Sequence, residues 1–406
     1  MFRTATALVL VLASVPVLAQ EEEAKKEKSL AEALASGKPH VDVRLRYERV
    51  DDADFEKDAH AATLRTAFGY RTAPYKGLSL FLEAQNVQHL GEERFNNKGA
   101  GDLANGITDR PVVADPDLTR LQQAYLRVEV ADTAFDLGRR EIAYGDHRFI
   151  GDIAWRQNFQ TFDAVYLKNH SLKNTEISYA YADKVLRIFG DEKDMSSHFL
   201  NALVKLRSDV SVEAFAYLLD YEARADWGLS SQSYGAKLSG SQPLGDSLRF
   251  LFEVQYAKQT DFAKNPASLD ADYLHLAAGL GFRSVANVKV GRELLSGSES
   301  GGAFQTPLAT GHKFNGWADL FLVTPPFGLV DWYVSADGKL RTAAWTVVYH
   351  DLSADEGGRA YGSELDAQVL VPTKWKQTFG FKFALYREDG FARDVSKLWL
   401  WTQYSF

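Results

Sequence analysis

From Val41 onward, apolar and polar residues alternate one for one. Val41, Val43, Leu45 and Tyr47 interleave with Asp42, Arg44, Arg46 and Glu48, the period-two signature of a strand with two chemically different faces. The pattern recurs down the chain. Leu64, Phe68 and Tyr70 oppose Arg65; Leu78, Leu80 and Leu82 oppose Glu83; Leu126, Val128 and Val130 oppose Arg127 and Glu129; Phe250, Phe252 and Val254 oppose Arg249 and Glu253; Leu365, Ala367 and Val369 oppose Glu364 and Asp366. A soluble β-sandwich could also alternate, but the last strand decides against it: Leu398, Leu400, Tyr404 and Phe406 share one face, and Phe406 is the final residue. A terminal amphipathic strand ending on an aromatic ring is how outer-membrane barrels close, so Tyr404 and Phe406 are read as the signal for lipid and the barrel assembly machinery. The expected fold is an all-β transmembrane antiparallel barrel, with apolar faces toward lipid and polar faces toward a wet lumen.

The start of the chain agrees. An apolar run from Ala5 to Leu18 after Arg3, with small residues at Val17-Leu18-Ala19, predicts a signal peptide over 1–19. Residues 20–39 read as a periplasmic leader with a short helix, because Ser29 and Glu32 have capping-box spacing and Gly37 follows; the barrel is expected over 40–406. Beyond the signal peptide, no apolar run approaches the roughly 18 residues of a spanning helix. Short links such as Thr72 to Gly77, Ser208-Asp209 and Asp337-Gly338 are expected at the periplasmic side. Long polar segments at 89–119, 143–160, 183–197, 258–271 and 296–328 are expected outside. Counting every strand-like run gives an odd total, since one falls near 312–322. Bacterial single-chain barrels have even numbers, so 296–328 is taken as one external loop; eighteen strands result, with sixteen the alternative.

Composition adds exclusions. The 406 residues contain no cysteine, which removes disulfide frameworks and thiolate chemistry. A net charge of -8 gives no argument for nucleic acid. The nine histidines show no metal-ligand spacing, and loop carboxylates such as Asp115, Asp117, Asp191, Glu192 and Asp194 read as solvated charge. No cofactor or metal is expected. His312-Lys313-Phe314-Asn315-Gly316 resembles a lipase element, but no serine follows within reach, so no catalytic residue is assigned.

Parity puts Arg44, Arg46, Arg65 and Arg127 on the inner face with Glu83, Glu129, Asp163, Glu364 and Asp366. The four arginines form a basic sector, expected to face Glu364, Asp366 or the loop carrying Asp146; paired charges stiffening the wall explain the same residues equally well. Parity also sends Trp399 and Trp401 into the lumen, narrowing it with rings that could stack on a sugar.

Three clusters exceed generic barrel sequence. The first runs from Leu137-Gly138-Arg139-Arg140-Glu141 through Tyr144-Gly145-Asp146, Arg148, Gly151 and Trp155 to Thr161-Phe162-Asp163. The second joins Leu295-Ser296-Gly297 to His312-Lys313-Phe314-Asn315-Gly316-Trp317-Ala318-Asp319. The third pairs Tyr349-His350-Asp351 with Gly362-Ser363-Glu364-Leu365-Asp366. With Arg44-Leu45-Arg46-Tyr47-Glu48, these resemble the alginate export family of outer-membrane proteins. The resemblance implies eighteen strands in the outer membrane of a Gram-negative bacterium and a charged lumen passing a polyuronate. It also implies a pore role for Arg139, Glu364 and Asp366. Asp146, Arg148, His312 and Asp319 are loop or gate candidates. The expected function is passive translocation of an anionic polysaccharide or similar charged or sugar-like solute, with periplasmic polysaccharide-secretion proteins as possible partners. A diffusion porin for small solutes is the alternative, and a barrel-anchored surface protein or enzyme a third reading.

Overall fold

The computed structural model describes residues 29–283, 285–298 and 302–406. The signal peptide and the first part of the leader lie outside the described residues. A short helix, α1 (Leu30–Ala35), carries both arms of the expected capping box at Ser29 and Glu32. It rests on the short-turn end of the wall, where the Ala73 amide donates to the Ala33 carbonyl at 3.1 Å.

Eighteen antiparallel strands follow: β1 (Lys38–Asp52), β2 (Ala59–Arg71), β3 (Leu78–His89), β4 (Leu118–Val130), β5 (Thr133–Arg140), β6 (Thr161–Asn169), β7 (Thr175–Leu186), β8 (Glu192–Arg207) and β9 (Val210–Leu219). The second half comprises β10 (Ser231–Leu244), β11 (Leu248–Asp261), β12 (Asp270–Phe282), β13 (Ala286–Leu295), β14 (Leu329–Leu340), β15 (Ala343–Ser353), β16 (Ala360–Pro372), β17 (Gln377–Glu388) and β18 (Val395–Ser405). Each strand pairs with its neighbours in sequence, and β18 returns to β1, with Val43 opposite Tyr404 and Arg46 opposite Trp401. Closure leaves no open edge, which a lipid-exposed sheet requires. The seam is tied at both levels. Val41 and Phe406 exchange backbone hydrogen bonds of 3.0 and 2.8 Å, and the Asp42 carboxylate accepts from Gln403 and Ser405.

The alternation does what the sequence pattern demands. Leu45, Phe68, Leu82, Leu126, Phe381 and Leu400 stand exposed on the outer surface, whereas Arg44, Arg46, Glu48, Arg65 and Glu83 are buried inside. Such an inversion of the soluble-protein rule is stable only when the outside medium is hydrocarbon.

Two sequence expectations need correction. The 183–197 and 258–271 segments are mostly strand, with loops confined to 187–191 and 262–269; the ladders continue above the apolar band through polar pairs such as Lys184 opposite Asp194. Asp337 and Gly338 lie within β14, and the turn comes at Arg341-Thr342, where Arg341 has φ 56°. The loops at 90–117, 141–160 and the described residues of 296–328 are long, as expected, and they fold inward as gate loops would. Asp115, Gln157 and Asn158 inside the barrel are essentially inaccessible.

Candidate functional site

The loops fill the outer half of the lumen and are joined to each other before they join the wall. Ile150 and Leu308 form a parallel β-bridge, the Gly151 amide donates to the Leu308 carbonyl at 2.9 Å, and the Thr310 amide donates to the His147 carbonyl at 3.0 Å. On the β9–β12 side an aromatic block anchors them: the Phe149 ring lies 4.8 Å from Phe215, 5.2 Å from Tyr273 and 5.9 Å from Phe304. On the β1 and β16–β18 side the anchors are charged.

There, Arg44 donates from Nε to Gln157 at 2.8 Å and from Nη1 to the Ala154 carbonyl at 3.1 Å, with a further bond from Nη2 to the Arg156 carbonyl. Arg46 binds the Trp155 carbonyl at 2.6 Å and pairs with Asp115. Arg156 answers from the loop, reaching Glu48 at 3.3 Å and Asp319 at 2.8 Å. Asp319 also takes Lys397 at 3.0 Å and His312 Nδ1 at 2.7 Å. Burial works against ionisation of Asp319, yet His312, Lys397 and Arg156 hold its carboxyl well below the usual range. Burial, with Lys382 and Arg156 close by, holds the His312 imidazole well below its ordinary value despite Asp319. His312 is therefore a neutral ring that donates from Nδ1 to Asp319 and accepts at Nε2 from Lys382, 2.6 Å away. It stacks on Trp155 at 4.6 Å.

The next turn of the same loop hooks onto the wall. The Trp317 amide donates to Asp366 at 3.1 Å and the Ala318 amide to Glu364 at 2.6 Å. This approach requires Gly316, which has φ +90° and where a Cβ would overlap the Glu364 carboxylate. Asn315 bridges Glu293 (2.6 Å) and Asp331 (3.1 Å), and Arg148 joins Glu293 at 2.7 Å and Asn315 at 2.9 Å. Asp146 pairs with Lys237 at 2.7 Å, which also reaches Glu253 at 2.9 Å. Thus Asp146, Arg148, His312, Asp319, Glu364 and Asp366, drawn from all three sequence clusters, come together as parts of one latch.

Among the described residues, two chambers lie below this roof. One, of about 690 Å³, lies against β1–β5 and is lined by Asp42, Arg65, Arg71, Glu83, Tyr125, Arg127 and Glu141. The other, of about 710 Å³, lies against β10–β15 and is lined by Lys237, Glu253, His275, Lys289, Asn315, Tyr333 and Ser335. In the first chamber Arg127 makes a bidentate pair with Asp136 at 2.7 and 2.8 Å, while Glu129 is exposed. Gln123 holds Glu83 and Glu141 together through one amide nitrogen, at 3.3 and 3.4 Å. Burial, reinforced by Glu83 and Asp152, pushes the Glu141 carboxyl up to about 8.

Arg139 and Asp163 were expected in the pore and are not there. Arg139 shares its parity with Leu137, 60% exposed on the outer surface, and Asp163 shares its parity with exposed Val165. The two make a bidentate pair at 2.7 and 2.9 Å on the outside of the wall. Of the basic sector, Arg44 and Arg46 meet the loop that carries Asp146, through its 154–157 segment, together with Asp115, while Asp146 itself sits across the lumen on Lys237. Trp399 and Trp401 do point inward, but Trp399 is fully buried against Trp155 and His312, so it cannot stack on a passing solute. The sequence reading missed Asp42, Arg156, Gln157 and Lys397, and it took Asp115 for solvated charge, whereas Asp115 is fully buried and paired with Arg46. Asp42 and Lys397 share the inner parity and were findable; Asp115, Arg156 and Gln157 sit in loops without periodicity.

The chain matches the alginate export model over residues 40–283. It belongs to the alginate export family. Solved structures give the same fold. OccK9 (OpdG) of Pseudomonas aeruginosa superposes with a TM-score of 0.73 at 15% identity, covering 92% of this chain and 99% of that one. OccAB3 of Acinetobacter baumannii gives 0.72 at 13% identity, with the same coverages. OpdK of P. aeruginosa, also solved with vanillate, gives 0.70 at 15% identity. No functionally curated protein matches the sequence. This alginate export family protein is an outer-membrane channel of a Gram-negative bacterium, seated in lipid and passing solutes.

Proposed function

We propose that this channel is selective for small anionic, hydroxylated or carboxylated solutes, and that in the state described it is not a conduit for a polymer. The observation that carries this reading is the inward packing of three loops, which divides the lumen below them into chambers of about 690 and 710 Å³. Such volumes fall in the range of roughly 300–1,000 Å³ typical of small-molecule sites and hold one or two sugar-sized units. Anion preference is supported by Arg71, Arg249 and Lys289, inner-face cations with no carboxylate partner among the described residues, where the inner acids are largely paired. Recognition here is passive: the lumen replaces part of a solute's hydration with fixed donors.

Export of a polyuronate is the second reading, favoured by family membership. It requires the 296–328 loop to leave the lumen. In planar bilayers, a KCl gradient should give a reversal potential of anion-preferring sign, and liposomes should swell in monosaccharide acids but not in oligouronates of ten or more units. Cation preference sinks the proposal; ready passage of the long oligomers replaces it with export.

A further inference from the structure

We infer that the β1–β5 chamber holds a discrete binding site for one small carboxylate, centred on Arg65; this rests on the anion-channel reading and deepens it. Arg65 is 1% exposed, yet its Nε and Nη1 groups have no hydrogen-bond partner. Only Nη2 is engaged, on Asp42. Three N–H bonds of a buried guanidinium are therefore unsatisfied, a cost of about 1–3 kcal/mol or more for a charged group. Nε and Nη1 lie on different edges of the group, so the fork left for a carboxylate is the end-on one, Nη1 with the second N–H of Nη2, which can take it through two parallel bonds.

The surroundings fix both the position and the direction of approach. The Phe159 ring lies 4.4 Å from the Arg65 guanidinium and covers one of its faces, so a ligand meets the edge of the fork. Inward-facing Ala67 and Gly69 follow Arg65 on β2, with Phe81 and Glu83 of β3 close against Gly69. Arg71, about 20 Å along the strand at roughly 3.3 Å per residue, then stands at the periplasmic mouth. It is held by Tyr125 at 2.8 Å and covered by Phe81 at 4.9 Å, and it has no acid partner. A carboxylate entering from the periplasmic side meets Arg71 first and ends on Arg65, beneath the loop roof. Glu83 and Glu141, joined by Gln123 on the adjoining wall, offer acceptors to hydroxyl groups on the same ligand.

The test uses the full-length protein in planar bilayers with gluconate as probe. Gluconate added to one compartment should reduce the chloride current saturably. Arg65→Gln should raise the half-blocking concentration at least tenfold, well beyond any fall in anion preference that the loss of one lumen charge brings. Should Arg65→Gln fail to fold, as judged by heat-modifiable gel migration, Arg65→Lys serves in its place: it keeps a charge for Asp42 but lacks the fork, and is expected to lose the block as well. Unchanged block in the variant, or linear and non-saturating inhibition in the wild type, overturns the site while leaving an anion-selective channel standing. A wild-type pore that prefers cations overturns the channel reading itself.

Discussion

Arg44 and Arg65 stand opposite each other across the β1–β2 ladder. Both are buried and both point inward, but Arg44 belongs to the filled half of the lumen and Arg65 to the chamber. Arg44 spends its donors on a loop side chain and two loop carbonyls; Arg65 keeps Nε and Nη1 free. The same residue type, one strand apart, is mortar in one place and a receptor in the other. Position on the inner face therefore does not make a charge a pore residue. What decides is whether a loop has already claimed its hydrogen bonds.

The sharpest way to break this contrast is to empty the filled half. Gly316→Val forces a side chain into the Glu364 carboxylate and is strained at φ +90°, so the hook should leave the wall. Single-channel conductance is expected to rise several-fold, and Arg44 and Arg46 should then contribute to anion preference. An unchanged conductance would mean that the roof does not limit flow. A smaller effect comes from the chamber. Because the Glu141 carboxyl is pushed up to about 8, it is neutral at pH 7 and ionises above that value, adding a negative charge beside Arg65. Anion preference should fall between about pH 7 and 9. The sign for stability is the same: a carboxyl with a raised folded pKa supports the fold at low pH and loses that contribution as pH climbs through its folded value. Glu141→Gln should flatten the selectivity profile; a persistent slope assigns the titration to another group. The smallest effect is expected outside the wall. Arg139→Ala breaks a partly exposed ion pair worth about 0–1 kcal/mol, and reversal potentials should stay within error. A clear loss of anion selectivity would return Arg139 to the conduction path.

The division between what could and could not be read from the sequence follows the same line. Period-two alternation reports one thing, which face of a strand a residue occupies, and it did so for Arg44, Arg65, Glu364 and Trp399. It also carried the correct answer for Arg139, since Leu137 and Arg139 necessarily share a face; the motif resemblance pointed the other way. Loop partners were illegible because their contacts join residues far apart in the chain, Arg44 with Gln157 or Arg156 with Asp319, and no local spacing encodes them. The three clusters were visible as unusual sequence, but only the folded loops reveal that they serve one another. Trp399 shows the limit well: its side was right, and its availability depended on Trp155.

The hook docks on Glu364, Asp366, Lys382 and Lys397, carried by β16, β17 and β18, strands that follow it in the chain, while Arg156 from the earlier loop needs Glu48 on β1. Its berth therefore exists only after the final strand has been zipped to the first. Contacts of such long sequence separation form late because the intervening chain must be ordered first. Through Asp319, which holds both Arg156 and Lys397, the stopper is tied to the two strands of the closing seam, so weakening that seam would loosen the stopper with it.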